Sequence, residues 1–220
     1  MKTTAIPFLV FFFLSLNLSA QNNDTHKEII TDTLSEVVIT TLMRPEKITR
    51  APASVQVLTT KDINRFAGSN TGELLAKVQG VEFTRYGVDG ITFNARGLNS
   101  AFNNKMLQIV DGRISTAALS GGLPVFNNGT TSKDDIQQIE IIVGPQMALH
   151  GPNAHNGVIS TITKDARIFQ GTTVSLSAGN QYQFSGRLRH AQKINDHWAW
   201  KVTGEYARGR DFNFVDSVYR

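Results

Sequence analysis

The sequence predicts an α+β domain, a mixed β-sheet with short helices, followed by the first antiparallel strands of a transmembrane β-barrel. Three observations carry this expectation. Between residues 51 and 164, short β-branched or apolar runs are separated by Gly- and Pro-containing turns and by helix-start signals. From residue 171 onward, apolar and polar side chains alternate with a period of two. The first twenty residues have the build of an export signal.

Composition bounds the reading. A chain of 220 residues with 40% hydrophobic and 18% charged side chains has enough apolar content for a packed core and too little charge for a disordered chain. Eighteen Gly against 6 Pro, without period, exclude collagen-like and Pro-rich low-complexity classes. The absence of Cys removes disulfide frameworks, thiolate zinc sites, iron–sulfur clusters and thiol nucleophiles. The net charge of +4 is modest, and residues 36–165 hold 12 basic and 11 acidic side chains, so no basic stripe marks a nucleic-acid partner.

Residues 1–20 read as a secretory signal. Lys2 forms the positive start, Ile6 to Leu18 the apolar stretch, and Leu18-Ser19-Ala20 a cleavage site. A membrane-anchoring helix is the alternative, but the apolar run falls short of the ~20 residues that span a bilayer. Residues 21–34 are a polar leader without helical or strand period. Within 35–41, Glu36-Val37-Val38-Ile39-Thr40 is a short β-branched run, too short to stand alone. It either joins a sheet of its own chain or pairs with a partner's edge.

The α+β domain is expected over 45–165. Ala53 to Thr59 alternates as a strand, and Thr59 with Asp62 forms an N-cap pair opening a short helix. Asn70-Thr71-Gly72-Glu73 opens a second helix with Leu74, Leu75 and Val78 as its apolar face and Gly80 as its C-cap. Strands follow at 80–84, 91–95 and 106–110, the last ending in the tight-turn dipeptide Asp111-Gly112. Ser132 with Asp135 is a cap for a third short helix before the strand Ile139 to Val143, which Gly144-Pro145 ends. A loop punctuated by Gly151-Pro152-Asn153 and Asn156-Gly157 precedes a last strand from Val158 to Lys164.

Over 170–220, Val174, Leu176, Tyr182, Phe184, Leu188, Trp198, Trp200, Val202 and Tyr206 alternate with polar or charged residues. Aromatics near strand ends suit an interfacial girdle. A half-buried sheet of a soluble protein has the same period. The fifty residues 171–220 make about three spanning strands at roughly 9–11 residues each, whereas single-chain barrels begin at about 8 strands. Three strands cannot close, and an open edge in hydrocarbon leaves backbone groups without partners. The barrel is therefore expected to be incomplete within these residues.

In order along the chain, the pieces resemble the N-terminal part of a TonB-dependent outer-membrane receptor, its plug domain plus the first barrel strands. Glu36 to Thr40 is similar to a TonB box, Ala51-Pro52-Ala53-Ser54-Val55 to the plug's opening, and Leu74-Leu75 with Val78-Gln79-Gly80-Val81 to its helix-to-strand passage. Phe93-Asn94-Ala95-Arg96-Gly97-Leu98, Gln108-Ile109-Val110-Asp111-Gly112, Ile139-Glu140-Ile141-Ile142-Val143-Gly144-Pro145 and Ala148 to Ala154, continuing to Lys164, complete the series.

The resemblance implies localisation in the outer membrane and energy-coupled uptake of a scarce ligand, such as a ferric siderophore, through a plugged barrel. It implies TonB, with its inner-membrane energising complex, as partner of Glu36, Val37, Val38, Ile39 and Thr40, besides a small-molecule ligand such as a metal chelate and outer-membrane lipid. It casts Arg96 and Glu140 as plug-to-barrel contacts, with ordinary surface charges as the alternative. Gly97, Asp111, Gly112, Gly144, Pro145, Gly151, Asn153 and Gly157 are cast as turn or close-approach positions. Two departures stand out: Val143 replaces a common Arg, which removes one expected charged contact, and His150 replaces a common aromatic. A soluble periplasmic or surface-exposed binding module using the plug fold is the alternative function.

No enzyme is expected, and no cofactor or metal. Gly151-Pro152 separates His150 from His155, and His190 and His197 flank an apparent turn. Gly129 to Lys133 lacks a P-loop ending, and no nucleophile-elbow, zinc-protease or dinucleotide motif occurs. Adjacent Asp134 and Asp135 read as helix-dipole partners rather than cation ligands.

Overall fold

The computed structural model describes residues 38–39, 46–47, 54–68, 71–87, 90–100, 103–117, 123–124, 131–180 and 182–211. The export signal, the leader, and Glu36, Val37 and Thr40 lie outside the described residues. Fourteen strands are described: β1 (Val38–Ile39), β2 (Glu46–Lys47), β3 (Ser54–Thr59), β4 (Val81–Arg85), β5 (Ile91–Ala95), β6 (Met106–Val110), β7 (Arg113–Ile114), β8 (Thr116–Ala117), β9 (Leu123–Pro124), β10 (Ile136–Val143), β11 (Gly157–Thr163), β12 (Gly171–Ala178), β13 (Phe184–Lys193) and β14 (Ala199–Arg208). Helices α1 (Thr60–Arg65) and α2 (Met147–His150) and 3₁₀ turns at Thr71–Lys77 and Lys133–Asp135 complete the order.

A five-stranded mixed sheet, ordered β3-β10-β11-β6-β7, forms the centre of the first domain. β10 is antiparallel to both β3 and β11, while β11 and β6 run parallel. On one face, Ile139, Ile141 and Val143 of β10 with Ile159 and Met106 pack under Ile63 of α1 and Leu74, Leu75 and Val78 of the first 3₁₀ turn. Burying each such side chain stabilises the fold by about 1.5–3 kcal/mol. Leu107, Ile109, Ala154 and Val158 form a second cluster on the other face.

Local chemistry explains the elements. Thr59 caps α1 through the capping box with Asp62, as its sequence spacing predicts. Asp111 (φ 46°) and Gly112 (φ 78°) turn β6 into β7 with positive φ at both positions, the requirement of a two-residue hairpin turn. At Gly157, a Cβ would lie 2.3 Å from the Ile142 carbonyl oxygen, so the close pairing of β10 and β11 admits only glycine there.

The second helix differs from expectation: residues 71–77 form a 3₁₀ turn rather than an α-helix. The segment is short and contains Gly72, and its tighter winding places Leu74, Leu75 and Val78 together in the core. Gln56 clasps the exit of this turn, donating from Nε2 to the Gln79 carbonyl (2.7 Å) and accepting the Gln79 amide (3.0 Å). The third predicted helix is likewise only the three-residue 3₁₀ turn Lys133–Asp135, and Ser132 makes no side-chain cap bond to it.

β12, β13 and β14 form an antiparallel three-stranded sheet. Register sorts its faces: Val174, Leu176, Leu188 and Val202 project to one side and are exposed, while Thr173, Ser175, Ser185, Arg187, Arg189, Lys201, Thr203 and Glu205 project to the other. Polar side chains, rather than apolar ones, are thus the covered set on β13, where Ser185, Arg187 and Arg189 are buried. His190 sits inside β13 rather than at its boundary, bonded through Nδ1 to Thr172 Oγ1 (2.7 Å) and packed 5.0 Å from the Trp200 ring.

Candidate functional site

The candidate site is the junction where the five-stranded domain passes into the three-stranded sheet. Ile136, the first residue of β10, pairs with Thr163, the last of β11, so the Lys133–Asp135 turn lies beside the exit toward β12. Lys164 ties the two together: its amide donates to the Asp135 carbonyl and its Nζ to the Asp134 carbonyl, both at 2.7 Å.

Three cations of the sheet reach this turn. Arg189 Nε donates to Asp135 Oδ1 (2.7 Å), and Lys201 Nζ donates to Asp135 Oδ2 (2.7 Å). Arg187 Nε donates to Asp134 Oδ2 at 3.1 Å. The same cations hold the connecting segment, because Arg189 Nη1 donates to the Phe169 carbonyl (2.9 Å) and Lys201 Nζ to Thr163 Oγ1 (2.7 Å) and the Lys164 carbonyl (3.0 Å). Thr163 is held in turn by the Asp111 carboxylate, which accepts its amide (2.9 Å) and its hydroxyl (2.8 Å).

Burial separates this cluster from ordinary surface pairs. The Asp135 and Arg189 side chains are 5% and 4% exposed. A charge placed there without its partner carries a large desolvation cost, so neither residue is replaceable alone. The neighbouring lysines register the same field. Burial, helped by Arg187, holds Lys133 below the usual lysine range against the pull of Asp134. Burial and Arg189 do the same to Lys164, against Asp134 and Asp135. Lys133 Nζ donates to the Phe66 carbonyl and lies 5.4 Å above the Phe66 ring.

The residues singled out from sequence fall elsewhere. Val38 and Ile39 pair with Lys47 and Glu46 in a two-stranded antiparallel ribbon of the chain itself. Arg96 is exposed just after β5, at φ 51°, with Gly97 beside it. Glu140 is fully buried within β10 and accepts from Gln138 Nε2 at 2.7 Å. Asp111 and Gly112 form the β6–β7 turn, Gly144 and Pro145 follow β10, Gly151 closes α2, Asn153 lies in the turn beyond it, and Gly157 opens β11. Among the described residues no group of three His, Asp or Glu side chains could hold a metal ion.

Asp134 and Asp135 correct their expected role. The three-residue turn they complete is too short for a helix dipole, and both carboxylates reach across to the other sheet instead. Their partners Arg187, Arg189 and Lys201 were not singled out from sequence. The available signal was two arginines at i and i+2 on the polar face of one strand, with a lysine on the same face of the next.

A mixed-sheet domain joined by buried ion pairs to the polar face of an antiparallel sheet, whose other face is apolar and exposed, defines a plug with the beginning of its barrel wall. The sequence pattern of the TonB-dependent Receptor Plug Domain matches residues 47–158, and the chain belongs to this family, one of receptors and transporters rather than of enzymes. Vitamin B12 transporter BtuB of Vibrio vulnificus (strain CMCP6) is 30% identical over 183 residues, which cover 82% of this chain and 29% of that protein. The chain thus spans less than a third of that relative's length. Among solved structures, the ferripyoverdine receptor of the outer membrane of Pseudomonas aeruginosa superposes with a TM-score of 0.61 at 19% identity, over 78% of this chain and 22% of that one. The alcaligin outer membrane receptor FauA of Bordetella pertussis gives 0.61 at 19% identity, over 79% of this chain and 30% of that one. These two likenesses show the fold.

Proposed function

We propose that this chain supplies the gate and the first wall strands of an outer-membrane transporter, which takes up a scarce metal chelate using energy delivered through TonB. The observation that carries this reading is the sheet of β12–β14, polar and ionically bonded toward the plug, apolar and exposed on its other face. An inward polar face and an outward apolar one are what a barrel wall in lipid requires. The family membership supports the same reading.

Glu36, Val37, Val38, Ile39 and Thr40 are the segment through which TonB and its inner-membrane complex pull, by adding a strand to this run. Arg96, exposed after β5, serves as a contact to wall strands beyond β14, whereas Glu140, with no exposed surface, acts as an internal brace of β10, and the turn residues from Gly97 to Gly157 hold the plug's shape. The ligand class is a metal chelate: a ferric siderophore, as for the receptors of like fold, or a corrinoid, as the name of the 30% identical relative suggests. Residues 1–20 direct export from the cytoplasm, and β12–β14 meet lipid in the outer membrane.

Calorimetry with a peptide of residues 32–44 and an isolated periplasmic TonB domain tests the coupling. Saturable binding is expected, and its absence removes residues 36–40 from that role. Uptake by cells carrying the gene, measured with radiolabelled cobalamin and with a ferric siderophore in parallel, separates the two chelates.

A further inference from the structure

We propose that Asp135 is the pin of the plug, the positioning residue that holds its exit to the first three wall strands and makes this end the plug's fixed point. The inference rests on the transport reading for its purpose and on geometry for its substance. One carboxylate accepts from two different wall strands, Arg189 on β13 and Lys201 on β14. The same two cations also hold backbone carbonyls on the way out of the plug, at Phe169 and Lys164. Asp135 therefore joins β10, the exit of β11, the connecting segment and two wall strands at one point. Its neighbour Asp134 adds Arg187.

The opposite end of the plug is held differently. The ribbon that contains Val38 and Ile39 has two residue pairs. β3, the first strand of the five-stranded sheet in chain order, lies at the sheet's edge, where among the described residues it pairs with β10 and is otherwise clasped by Gln56 to Gln79. A pull entering near residues 36–40 thus meets backbone pairing at an edge, whereas the exit end is held by charge-assisted bonds buried from water. The weaker attachment yields first, and the pinned end stays with the wall.

These 220 residues contain no cysteine, so within them one introduced thiol reports without background, the unsubstituted protein serving as the blank. Ser132, adjoining the pinned turn, is 6% exposed and makes no side-chain cap bond to that turn, so Ser132→Cys is a small change at a buried position. Maleimide labelling of Ser132→Cys is followed in cells with the inner membrane energised or collapsed by a protonophore. With Asp135 intact, the thiol is expected to stay protected in both states. Adding Asp135→Asn raises its labelling rate about tenfold or more, because the amide leaves Arg189 without a matching charge. Asp135→Glu restores most of the protection, and Asp196→Asn, which removes only a surface pair on the wall, leaves the rate unchanged. Labelling of Ser132→Cys on energisation with Asp135 intact overturns the fixed point. An unchanged rate in Asp135→Asn overturns the pin. If Asp135→Asn does not accumulate, Lys201→Met takes its place, with a rise of about threefold expected from a partner one-third exposed and no rise overturning the proposal. None of these arms requires binding of TonB, so failure of the coupling reading shows separately in the peptide experiment.

Discussion

Arg189 and Asp135 meet at 2.7 Å across the boundary between wall and plug, 54 positions apart in the chain. Because both side chains are almost fully buried, the pair is strongly sensitive to loss of one member. Arg189→Leu is expected to destabilise the protein by about 3–5 kcal/mol, since Asp135 keeps only Lys201 and the Phe169 carbonyl loses its donor. Lys201→Met is expected to cost about 1–2 kcal/mol, because its side chain is 31% exposed and water replaces part of what is lost. Asp196→Ala, which breaks the surface pair with Lys193, is expected to cost about 0.5 kcal/mol or less. Urea unfolding of the three variants checks the order.

Gly157→Ala tests the close approach of β10 and β11. The new methyl would lie 2.3 Å from the Ile142 carbonyl oxygen and 3.1 Å from the Met106 side chain, and a backbone oxygen cannot move aside without parting the central strands. A loss of about 2–3 kcal/mol is expected. Gly204→Ala, on β14 with nothing within 4 Å, is the matched control and is expected to change stability by about 0.5 kcal/mol or less.

Acid titration reports the α1 cap. The Thr59 hydroxyl and then the Thr59 amide hold the Asp62 carboxyl below the usual carboxylate range, against a smaller opposing effect of burial. A carboxyl lowered in the folded state contributes stability that is present above the unfolded value and lost as pH falls through the folded one. The stability difference between the protein and Asp62→Asn is therefore expected to be constant above about pH 5 and to shrink below about pH 4. Denaturant unfolding at stepped pH reads this directly, and a difference that grows toward low pH contradicts it.

The parts legible in the sequence are those whose causes are local. Thr59 and Asp62 sit three residues apart, Asp111 and Gly112 adjoin, and β12 to β14 carry their two faces in a period of two, so each signal lies within a few residues. The winding of residues 71–77 is not legible in the sequence because Leu74, Leu75 and Val78 suit one face of either helix type, and core packing rather than spacing decides between them. The junction is hidden in the sequence for a different reason. Asp134 and Asp135 look like a helix start when read alone, and their partners lie 53 to 66 residues further on, where Arg187, Arg189 and Lys201 look like the solvated face of an amphipathic strand. Only the fold shows that this polar face is covered.

The outer face of β12–β14 supplies the sharpest test of what surrounds the wall. Leu188 lies in the middle of β13, between Val174 and Gly204 in register, and is about half exposed. If that face meets water, Leu188→Arg replaces one solvent-exposed side chain by another and is expected to change stability by about 0.5 kcal/mol or less. If it meets hydrocarbon, the guanidinium must leave water on insertion and the cost is about 2–4 kcal/mol near the bilayer midplane. The same substitution at Trp198, next to the turn at Asn195–His197 and so close to the headgroups in a membrane, is expected to cost about 0–1 kcal/mol. Reversible folding into lipid vesicles is expected to give a large loss at Leu188 and a small one at Trp198, the depth dependence that a soluble sheet has no means to produce.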